Sequence, residues 1–262
     1  MIAESCGTEL HLVHVLEPMG EAMIDNGLAR LLRDHQAAEA RHLAEWMDDR
    51  TSATINLDIV RGSPSWTLVA KGKISDLVVV GSSSVDAFGV GPVSRRVARL
   101  SVSDALIVRR QPRVPYRRII AAVDFSEASR LTVDRARSRF PDAEITVMYS
   151  LPSRFDTMLA DAGLFTEEVQ ASRESRLAAA EQRMTEFVSD WDNGLRTLVV
   201  DGPPTETVEE VVRRRSADLV VVSARGASAT RMVLMGTVAE GLVGRAPCDV
   251  MVVRAGSSFR RP

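Results

Sequence analysis

The chain has 262 residues, a formal net charge of −2, and 45% hydrophobic against 26% charged residues. Its length suits one large domain or two domains of about 130 residues each. The composition is that of a folded globular protein rather than of a disordered chain or a disulfide scaffold, and the near-neutral charge argues against a dedicated nucleic-acid-binding protein. No stretch reaches the run of about 18 apolar residues that a membrane span needs, and the first residues lack a signal-peptide pattern. We therefore expect a cytoplasmic protein with neither a nucleic-acid nor a membrane partner.

Cysteine and histidine placement gives no sign of a metal or redox centre. Cys6 and Cys248 lie far apart and lack metal-ligand spacing, so we expect both to be buried structural thiols in a reducing compartment. All four histidines precede residue 43, and no Ser-His-Asp or Cys-His set is discernible. The sequence predicts neither a metal site nor a catalytic residue.

An internal repeat decides how the chain is organised. The sequence Asp-Leu-Val-Val-Val occurs at 76–80 and again at 218–222. Three further segments match at offsets that grow from 135 to 145 residues along the chain: 8–15 with 143–150, 60–64 with 200–204, and 105–109 with 250–254. The chain is therefore a tandem duplication. The linker 110–116, with two prolines, lies at the boundary between a domain 1–111 and a domain 112–262.

Short apolar runs alternate with amphipathic helical stretches in both copies. In the second copy the predicted strands cover about 117–124, 144–150, 195–200, 218–223 and 249–254, and the predicted helices about 127–139, 165–192, 205–216 and 235–245. Near-continuous apolar strands between helices are typical of a parallel sheet covered on both faces. The pattern predicts an α/β fold of two tandem flavodoxin-like, doubly wound domains with strand order 3-2-1-4-5.

The first copy begins too late to contain its first strand. Met1 aligns with about Ala136, so nothing in this copy corresponds to residues 117–135. Strand 1 is central in the expected order, and its loss should split the sheet into two pairs of strands with unpaired edges. We interpret Met1 as a misassigned start and expect an in-frame upstream segment that encodes a strand ending in Asp, followed by a helix. A stop codon immediately upstream would contradict this interpretation.

The second copy carries the features of an anion-binding loop. Ligands of doubly wound sheets bind at the carboxyl ends of the strands, near the switch point between strands 1 and 4. Those strands end here at Asp124 and Ser223, and the segment after Ser223 leads through Gly226 to Gly236 and Thr237 at the start of a helix. Glycines allow backbone N–H groups to approach an anion, and a helix N-terminus adds positive partial charge.

The charges of this loop favour a phosphate group as its ligand. Between Leu219 and Ala239 the only charged residues are Arg225 and Arg231, so the segment is locally cationic. Asp124 has a second possible role besides ligand binding, because it also suits an Asx turn with Ser126 before the next helix. The two roles of Asp124 are compatible.

This loop resembles the signature of the universal stress protein family, whose nucleotide-binding members carry Gly-x2-Gly-x9-Gly-(Ser/Thr) after strand 4. Here the spacing matches in full, with Ser223 in place of the first glycine, followed by Gly226, Gly236 and Thr237. The resemblance extends over the whole chain except the missing opening strand. It implies that Gly226, Gly236 and Thr237 hold ribose and phosphates.

The same resemblance supplies the rest of the expected site. It implies that Asp124 lies beside the nucleoside and that the backbone near Ser150, at the end of strand 2, faces an adenine ring. The expected ligand is ATP, with Mg²⁺ as an additional component. Arg225 is a candidate phosphate ligand from its position in the loop. Ser223 can either narrow the approach of the backbone to the ribose or donate a hydrogen bond.

The first copy departs much further from this signature. Its equivalent starts at Gly81 and reaches Ser94 and Arg95 at the positions of the last glycine and the hydroxyl residue, so we expect no nucleotide there. Its expected role is to dock on the second copy through the last strands, 104–109 and 249–254, as family members do. A further homodimer of the tandem chain is left open.

Two functional classes fit these features. The leading hypothesis is a cytoplasmic stress-response protein that binds an adenine nucleotide as a regulatory ligand and is not an enzyme, because no general base or positioned nucleophile accompanies the loop. Slow ATP hydrolysis is left open. The alternative is a nucleotide-free interaction module that acts through its paired domains. The serine at position 223 and the losses in the first copy favour that alternative.

Overall fold

The computed structural model describes residues 2–17, 26–48, 52–82, 90–109, 115–152, 167–191, 194–226 and 235–255. Within them the strands are β1 (Leu10–Leu16), β2 (Ile55–Arg61), β3 (Leu77–Gly81), β4 (Asp104–Val108), β5 (Arg118–Val123), β6 (Glu144–Leu151), β7 (Leu195–Asp201), β8 (Leu219–Ser223) and β9 (Asp249–Val253). The α-helices are α1 (Ile2–Cys6), α2 (Asn26–Asp48), α3 (Pro64–Lys71), α4 (Pro92–Leu100), α5 (Glu127–Arg139), α6 (Glu167–Val188), α7 (Pro204–Arg215) and α8 (Thr237–Arg245), and a 3₁₀ turn covers Gly72–Ile74.

The five strands of the second half form a doubly wound parallel sheet. Their order is β7-β6-β5-β8-β9, and every neighbouring pair among them is parallel. Numbered within that half, this is the predicted order 3-2-1-4-5, with β5 in the centre. The carboxyl ends of β5 and β8 therefore lie side by side, where ligands of such sheets bind.

Helices cover both faces of this sheet, which explains its near-continuous apolar strands. All residues of β8 and β9 are buried. On one face Val211 of α7 and Leu242 of α8 belong to the core, and on the other Val133 of α5 and Phe187 of α6 do. Burial of each such side chain contributes about 1.5–3 kcal/mol relative to exposure. Helix α7 begins at Pro204. The missing N–H of this proline removes no hydrogen bond, because the first N–H groups of a helix have no acceptor within the helix.

The two halves join through their last strands, as predicted. β4 and β9 pair in antiparallel orientation with Leu106 opposite Met251. These two residues are counterparts in the repeat, so the pairing has an approximate two-fold axis between them. The junction adds β3 and β4 to the sheet of the second half and gives seven strands in the order β3-β4-β9-β8-β5-β6-β7.

The first half is split in the way that the absence of a first strand predicts. β1 and β2 form a separate two-stranded parallel sheet, while β3 pairs only with β4 among the described strands. A complete half would hold a central strand between the counterparts of β1 and β3. One edge of each of these strands therefore has no strand partner within the described part of the chain.

The cysteines divide between a buried and a half-buried position. Cys248 is buried, as predicted, but the prediction that Cys6 is buried is wrong. Cys6 ends α1, a helix of five residues, and so short a helix covers little of its own last side chain. Both thiols are free. None of the described helices is long and apolar enough to cross a membrane.

Candidate functional site

Strand register brings the predicted residues to one edge of the central sheet. Asp124 directly follows β5, and Ser223 is the last residue of β8. β5 pairs with β8 up to Ala122 opposite Val222, and with β6 up to Val123 opposite Tyr149. Because parallel strands end at the same edge, the residues just beyond these pairs are neighbours.

A hydrogen-bonded turn fixes the carboxylate of Asp124. Its Oδ1 accepts hydrogen bonds from the Oγ of Ser126 at 2.5 Å and from the Oγ of Ser129 at 2.7 Å, together with the backbone N–H of Ser126 at 3.2 Å. The backbone N–H of Asp124 donates in return to the Ser129 hydroxyl at 2.9 Å. The Asx turn suggested by the sequence is therefore present. It occupies Oδ1 and orients the second carboxylate oxygen.

Gly226 lies against that second oxygen. A β-carbon added to Gly226 would lie 2.5 Å from Oδ2 of Asp124, well inside van der Waals contact. Because the carboxylate is held by Ser126 and Ser129, it has little freedom to move away. Asp124 and Gly226, which are 102 positions apart in the sequence, therefore form one side of the site, and only glycine fits beside the carboxylate.

The start of α8 closes the other side of the site. Gly236 is the N-cap of α8 and Thr237 is its first residue. The backbone N–H of Gly236 donates to the carbonyl of Ala224 at 2.8 Å. A β-carbon on Gly236 would lie 3.9 Å from the backbone nitrogen of Gly226. The first free N–H groups of α8 and its positive dipole end therefore stand beside Gly226.

Ser150 lies at the same sheet edge, but its hydroxyl is already used. This buried residue belongs to β6, opposite Val200 of β7. Its Oγ donates to the carbonyl of Gly202 at 2.7 Å. The side chain of Ser150 therefore holds the turn after β7. The expectation from the sequence concerns its backbone, which the side-chain bond leaves unchanged.

Ser223 and Arg225 connect the site to the last strand. Ser223 is buried opposite Val253 of β9, and the next backbone N–H, of Ala224, donates to the carbonyl of Val253 at 2.8 Å. The side chain of Arg225 is exposed. Burial, and after it the positive charge of Arg225, lowers the pKa of Arg254 to about 10. Arg231, the other cation of the predicted loop, lies outside the described residues.

The site combines a hydrogen-bond acceptor of fixed orientation, the carboxylate of Asp124, with the positive N-terminus of α8. A carboxylate only accepts hydrogen bonds, so Asp124 suits a ligand with hydroxyl or amino donors. The N-terminus of α8 and Arg225 suit a negative group such as phosphate. Among the described residues, no group of three or more His, Cys, Asp or Glu side chains could hold a metal ion. The arrangement can therefore bind a ligand that carries both donor groups and negative charge.

Three residues near this site were not predicted from the sequence: Phe125, Ser129 and Tyr149. Ser126 is the N-cap of α5 and accepts from the N–H of Ser129, a pairing signalled by serines three residues apart before a helix. Phe125 has φ 63°, in the left-handed region. Its ring lies 4.4 Å from that of Tyr149 on β6. Nothing in the local sequence signals that contact, because it depends on the pairing of β5 with β6.

Helix α4 of the first half is the counterpart of helix α8 of the second half. Counting along the signature placed Ser94 at the position of Gly236, but the structure puts Gly91 there. Gly91 is the N-cap of α4, as Gly236 is of α8, with nearly the same backbone angles. Ser94 lies inside α4, and its hydroxyl donates to the carbonyl of Gly81 at 2.8 Å. The count failed because the loop of the first half is three residues shorter.

Comparison with known proteins identifies the family. The model of the universal stress protein family matches residues 1–109 and again 115–254. A universal stress protein of Methanocaldococcus jannaschii is 25% identical over 146 residues, which cover 53% of this chain and 82% of that protein. A putative universal stress protein of Staphylococcus aureus strain USA300 is 28% identical over 146 residues, 54% of this chain and 86% of that protein.

A solved structure covers both halves of the chain. The crystal structure of a universal stress protein from Archaeoglobus fulgidus superimposes with a TM-score of 0.69 at 16% sequence identity. The match covers 96% of this chain and 90% of that one. At this identity the likeness bears on the fold, and it includes the tandem arrangement.

Proposed function

Because the chain belongs to the universal stress protein family, we propose that it is a cytoplasmic stress-response protein whose second half binds an adenine nucleotide. The ligand is ATP, with Mg²⁺ accompanying its phosphates. Asp124, Ser150, Ser223, Arg225, Gly226, Gly236 and Thr237 form the binding site. The nucleotide acts as a regulatory ligand, and the protein is not a dedicated enzyme.

The contact between Asp124 and Gly226 is the observation that carries this proposal. A carboxylate held by a serine turn beside a glycine can serve as a hydrogen-bond acceptor for a ribose hydroxyl. From there the N-terminus of α8 is adjacent, and its backbone N–H groups suit the phosphates. Gly226 lies beside both groups, since a β-carbon on Gly226 would lie 2.5 Å from Oδ2 of Asp124 and one on Gly236 would lie 3.9 Å from the backbone nitrogen of Gly226.

The partners of Asp124 favour a regulatory role over catalysis. The described part of the chain offers a binding surface, but its fixed carboxylate is held by Ser126 and Ser129 and not by a histidine or lysine that would activate a nucleophile. Binding without rapid turnover suits a protein that reports nucleotide levels. Slow hydrolysis is compatible with this role and does not change it.

Isothermal titration of the full chain with ATP and Mg²⁺ tests the proposal. We expect saturable binding that is lost in Gly226→Val, since a β-carbon there collides with Oδ2 of Asp124. Gly244→Ala is the matched control, because a β-carbon on Gly244 of α8 meets nothing within 4 Å. Absence of heat at millimolar ATP, or equal heat from wild type and Gly226→Val, would overturn the proposal.

The interaction module remains the second candidate because of Ser223. This side chain is buried at the end of β8, where the signature of nucleotide-binding members has glycine. If Ser223 closes the approach to the ribose, the paired halves remain as the functional surface. Titration of Ser223→Gly separates the two: ATP binding that appears only in this variant supports the interaction module.

A further inference from the structure

The amino ends of the strands in the second half carry a pocket that the candidate nucleotide site does not use. It has a volume of about 260 Å³ and lies where β5, β6 and β7 begin and where α7 ends. The nucleotide site lies at the carboxyl ends of the strands, so the two sites are at opposite ends of the sheet. We call this pocket the amino-end pocket. Its polar lining residues are Arg118, Glu144, Thr146, Arg196 and Arg215.

Strand register places most of these polar side chains on one face of the sheet. Arg118 of β5 lies opposite Glu144 of β6, and Thr146 of β6 lies opposite Arg196 of β7. Residues paired across parallel strands share a face, as do residues two apart along one strand. This face is the one that α7 covers, because Ile120, two residues after Arg118, packs there with residues of α7. The end of α7 therefore closes the pocket.

Two of the three arginines in the pocket have no carboxylate partner. Arg196 forms an ion pair of 2.9 Å with Glu144. Arg118 and Arg215 are exposed, and neither guanidinium has an ion-pair partner among the described residues. Three arginines and one glutamate give the lining a net charge of +2. The pocket therefore favours an anion.

Thr146 adds an unused hydroxyl to the bottom of the pocket. The residue is 3% exposed, and its hydroxyl has no hydrogen-bond partner in the described part of the chain. A hydroxyl that is buried without a partner is unfavourable, and a ligand in the pocket would satisfy it. Beside Thr146, the buried side chains of Ile120 and Ala217 add an apolar surface.

The first half of the chain does not repeat this charge. The counterparts of Glu144 and Arg196 are Glu9 and Asn56. The amide of Asn56 donates to the Glu9 carboxylate at 3.0 Å, so a hydrogen bond to a neutral group replaces the ion pair. The cross-strand contact is thus common to both halves, whereas the arginine belongs to the second half alone. The strand pairing therefore does not require the positive charge.

We propose that the amino-end pocket binds a small molecule that carries a phosphate monoester group. A guanidinium can donate two parallel hydrogen bonds to phosphate oxygens, so Arg118 and Arg215 bind the phosphate together with the hydroxyl of Thr146. The organic part of the ester packs on Ile120 and Ala217. The pocket is smaller than the range of about 300–1,000 Å³ that is typical of drug-sized ligands, which favours a ligand smaller than ATP. This site is independent of the proposed nucleotide function.

Calorimetric titration of the full chain with inorganic phosphate and with phenyl phosphate, at constant ionic strength, tests the proposal. We expect 1:1 binding of both, with the ester bound more tightly because its ring buries apolar surface. Arg118→Gln and Arg215→Gln should each weaken binding of phenyl phosphate at least about fivefold, the effect of one lost exposed ion pair. No binding at millimolar phenyl phosphate, equal affinity for the two anions, or binding that neither variant weakens would overturn the proposal.

Arg213→Gln and Arg214→Gln are the matched controls. Both arginines lie in the same last turn of α7 as Arg215, but they form ion pairs with Glu209 and Glu210 and do not line the pocket. Each control removes the same charge from the same helix end, so any general effect of charge or of the helix dipole is matched. Equal weakening by all three variants would overturn the proposal.

Three further measurements separate this pocket from the nucleotide site. Gly226→Val should leave binding of phenyl phosphate unchanged, and Arg118→Gln should leave binding of ATP unchanged, because the two sites lie at opposite ends of the sheet. Glu144→Gln should strengthen binding of phenyl phosphate up to about fivefold, since it removes a competing carboxylate and releases Arg196. Loss of phenyl phosphate binding in Gly226→Val, or weaker binding in Glu144→Gln, would overturn the proposal. Failure of ATP to bind would affect the proposed function alone.

Discussion

Asp104 accepts a hydrogen bond of 2.8 Å from the backbone N–H of Arg254, 150 positions away in the sequence. The approximate two-fold axis between the halves repeats this bond, since Asp249 accepts one of 2.7 Å from the backbone N–H of Arg109. The side chains follow the same symmetry: the guanidinium of Arg254 donates to the carbonyl of Ala98, and that of Arg109 donates to the carbonyl of Val243. The junction is thus two copies of one hydrogen-bonding pattern.

The symmetry ends at α5, because the described first half has a counterpart only of the last turn of this helix, in α1. Asp104 also accepts from Nη1 of Arg139 at 2.5 Å and pairs with Nε of Arg135 at 3.3 Å. Asp249 instead accepts from the hydroxyl of Tyr116 at 2.6 Å. At these two symmetry-related positions, Asp104 balances the charge of two buried arginines, whereas Asp249 accepts a hydrogen bond from the neutral phenol of Tyr116.

This difference predicts unequal effects of the same substitution. Asp104→Asn should lower the free energy of unfolding by about 3–5 kcal/mol, because it leaves buried guanidinium groups without their counter-charge. Asp249→Asn should cost about 1–3 kcal/mol, the range for a disturbed buried hydrogen bond. Urea unfolding of the two variants measures both values. Equal losses would show that the arginines of α5 do not depend on Asp104.

The buried thiol of Cys248 predicts a loss of stability at alkaline pH. Burial, and next the negative charge of Asp249, raises its pKa to about 12, whereas an unfolded thiol titrates near about 8.5–9. The folded pKa lies above the unfolded one, so the contribution is complete below about pH 8.5 and is lost as the pH rises towards 12. Burial also raises the pKa of Tyr116, which adds a loss of the same sign above about pH 10.

Comparison with Cys248→Ala isolates the thiol. Between pH 8 and pH 10 the wild type should lose about 1.4 kcal/mol more unfolding free energy than the variant, the value of one pKa unit of unfolded-state ionisation. The variant has a lower absolute stability, since it leaves a small cavity, so the difference between the two pH values is the quantity to compare. Identical pH slopes would contradict the assignment.

Substitutions around Asp124 separate its role in the turn from its role in binding. Asp124→Asn keeps an oxygen that can accept from Ser126 and Ser129, so we expect a change in stability within about 1 kcal/mol. It removes the charge beside Gly226, and ATP affinity should fall about tenfold, because a charged acceptor binds a hydroxyl more strongly than a neutral one. Thermal unfolding and calorimetric titration of the same preparation measure the two effects.

Ser129→Ala provides the complementary case. Ser129 is fully buried and both donates to and accepts from Asp124, so its loss should cost about 1–3 kcal/mol and weaken ATP binding as well. If Asp124→Asn destabilises the protein as much as Ser129→Ala while affinity is unchanged, Asp124 serves only to start α5.

The strands of the sheet could be predicted from the sequence because periodicity and repetition encode them. The apolar run Leu219–Ser223 and its repeat Leu77–Gly81 identify two parallel strands. The first is buried throughout, as expected of a strand covered on both faces, whereas Val79 in the second is exposed. Contacts between distant segments could not be predicted from the sequence. The pairing of Asp104 with Arg139 and the ring contact of Phe125 with Tyr149 depend on the packing of strands and helices. No local pattern encodes either of them.

We expect the charge of Arg225 to strengthen ATP binding at the carboxyl ends of the strands, where the candidate site lies. Arg225→Ala should weaken ATP binding about fivefold, since an exposed arginine contributes at most about 1 kcal/mol to an ion pair with phosphate. Arg215→Ala is the matched control, because Arg215 is also exposed but lies at the end of α7, near the amino ends of the strands. Titrations at low and high NaCl should show a smaller salt dependence for Arg225→Ala than for the other two proteins, since screening acts on the charge that it lacks. Equal affinity and equal salt dependence of the two variants would remove Arg225 from the site.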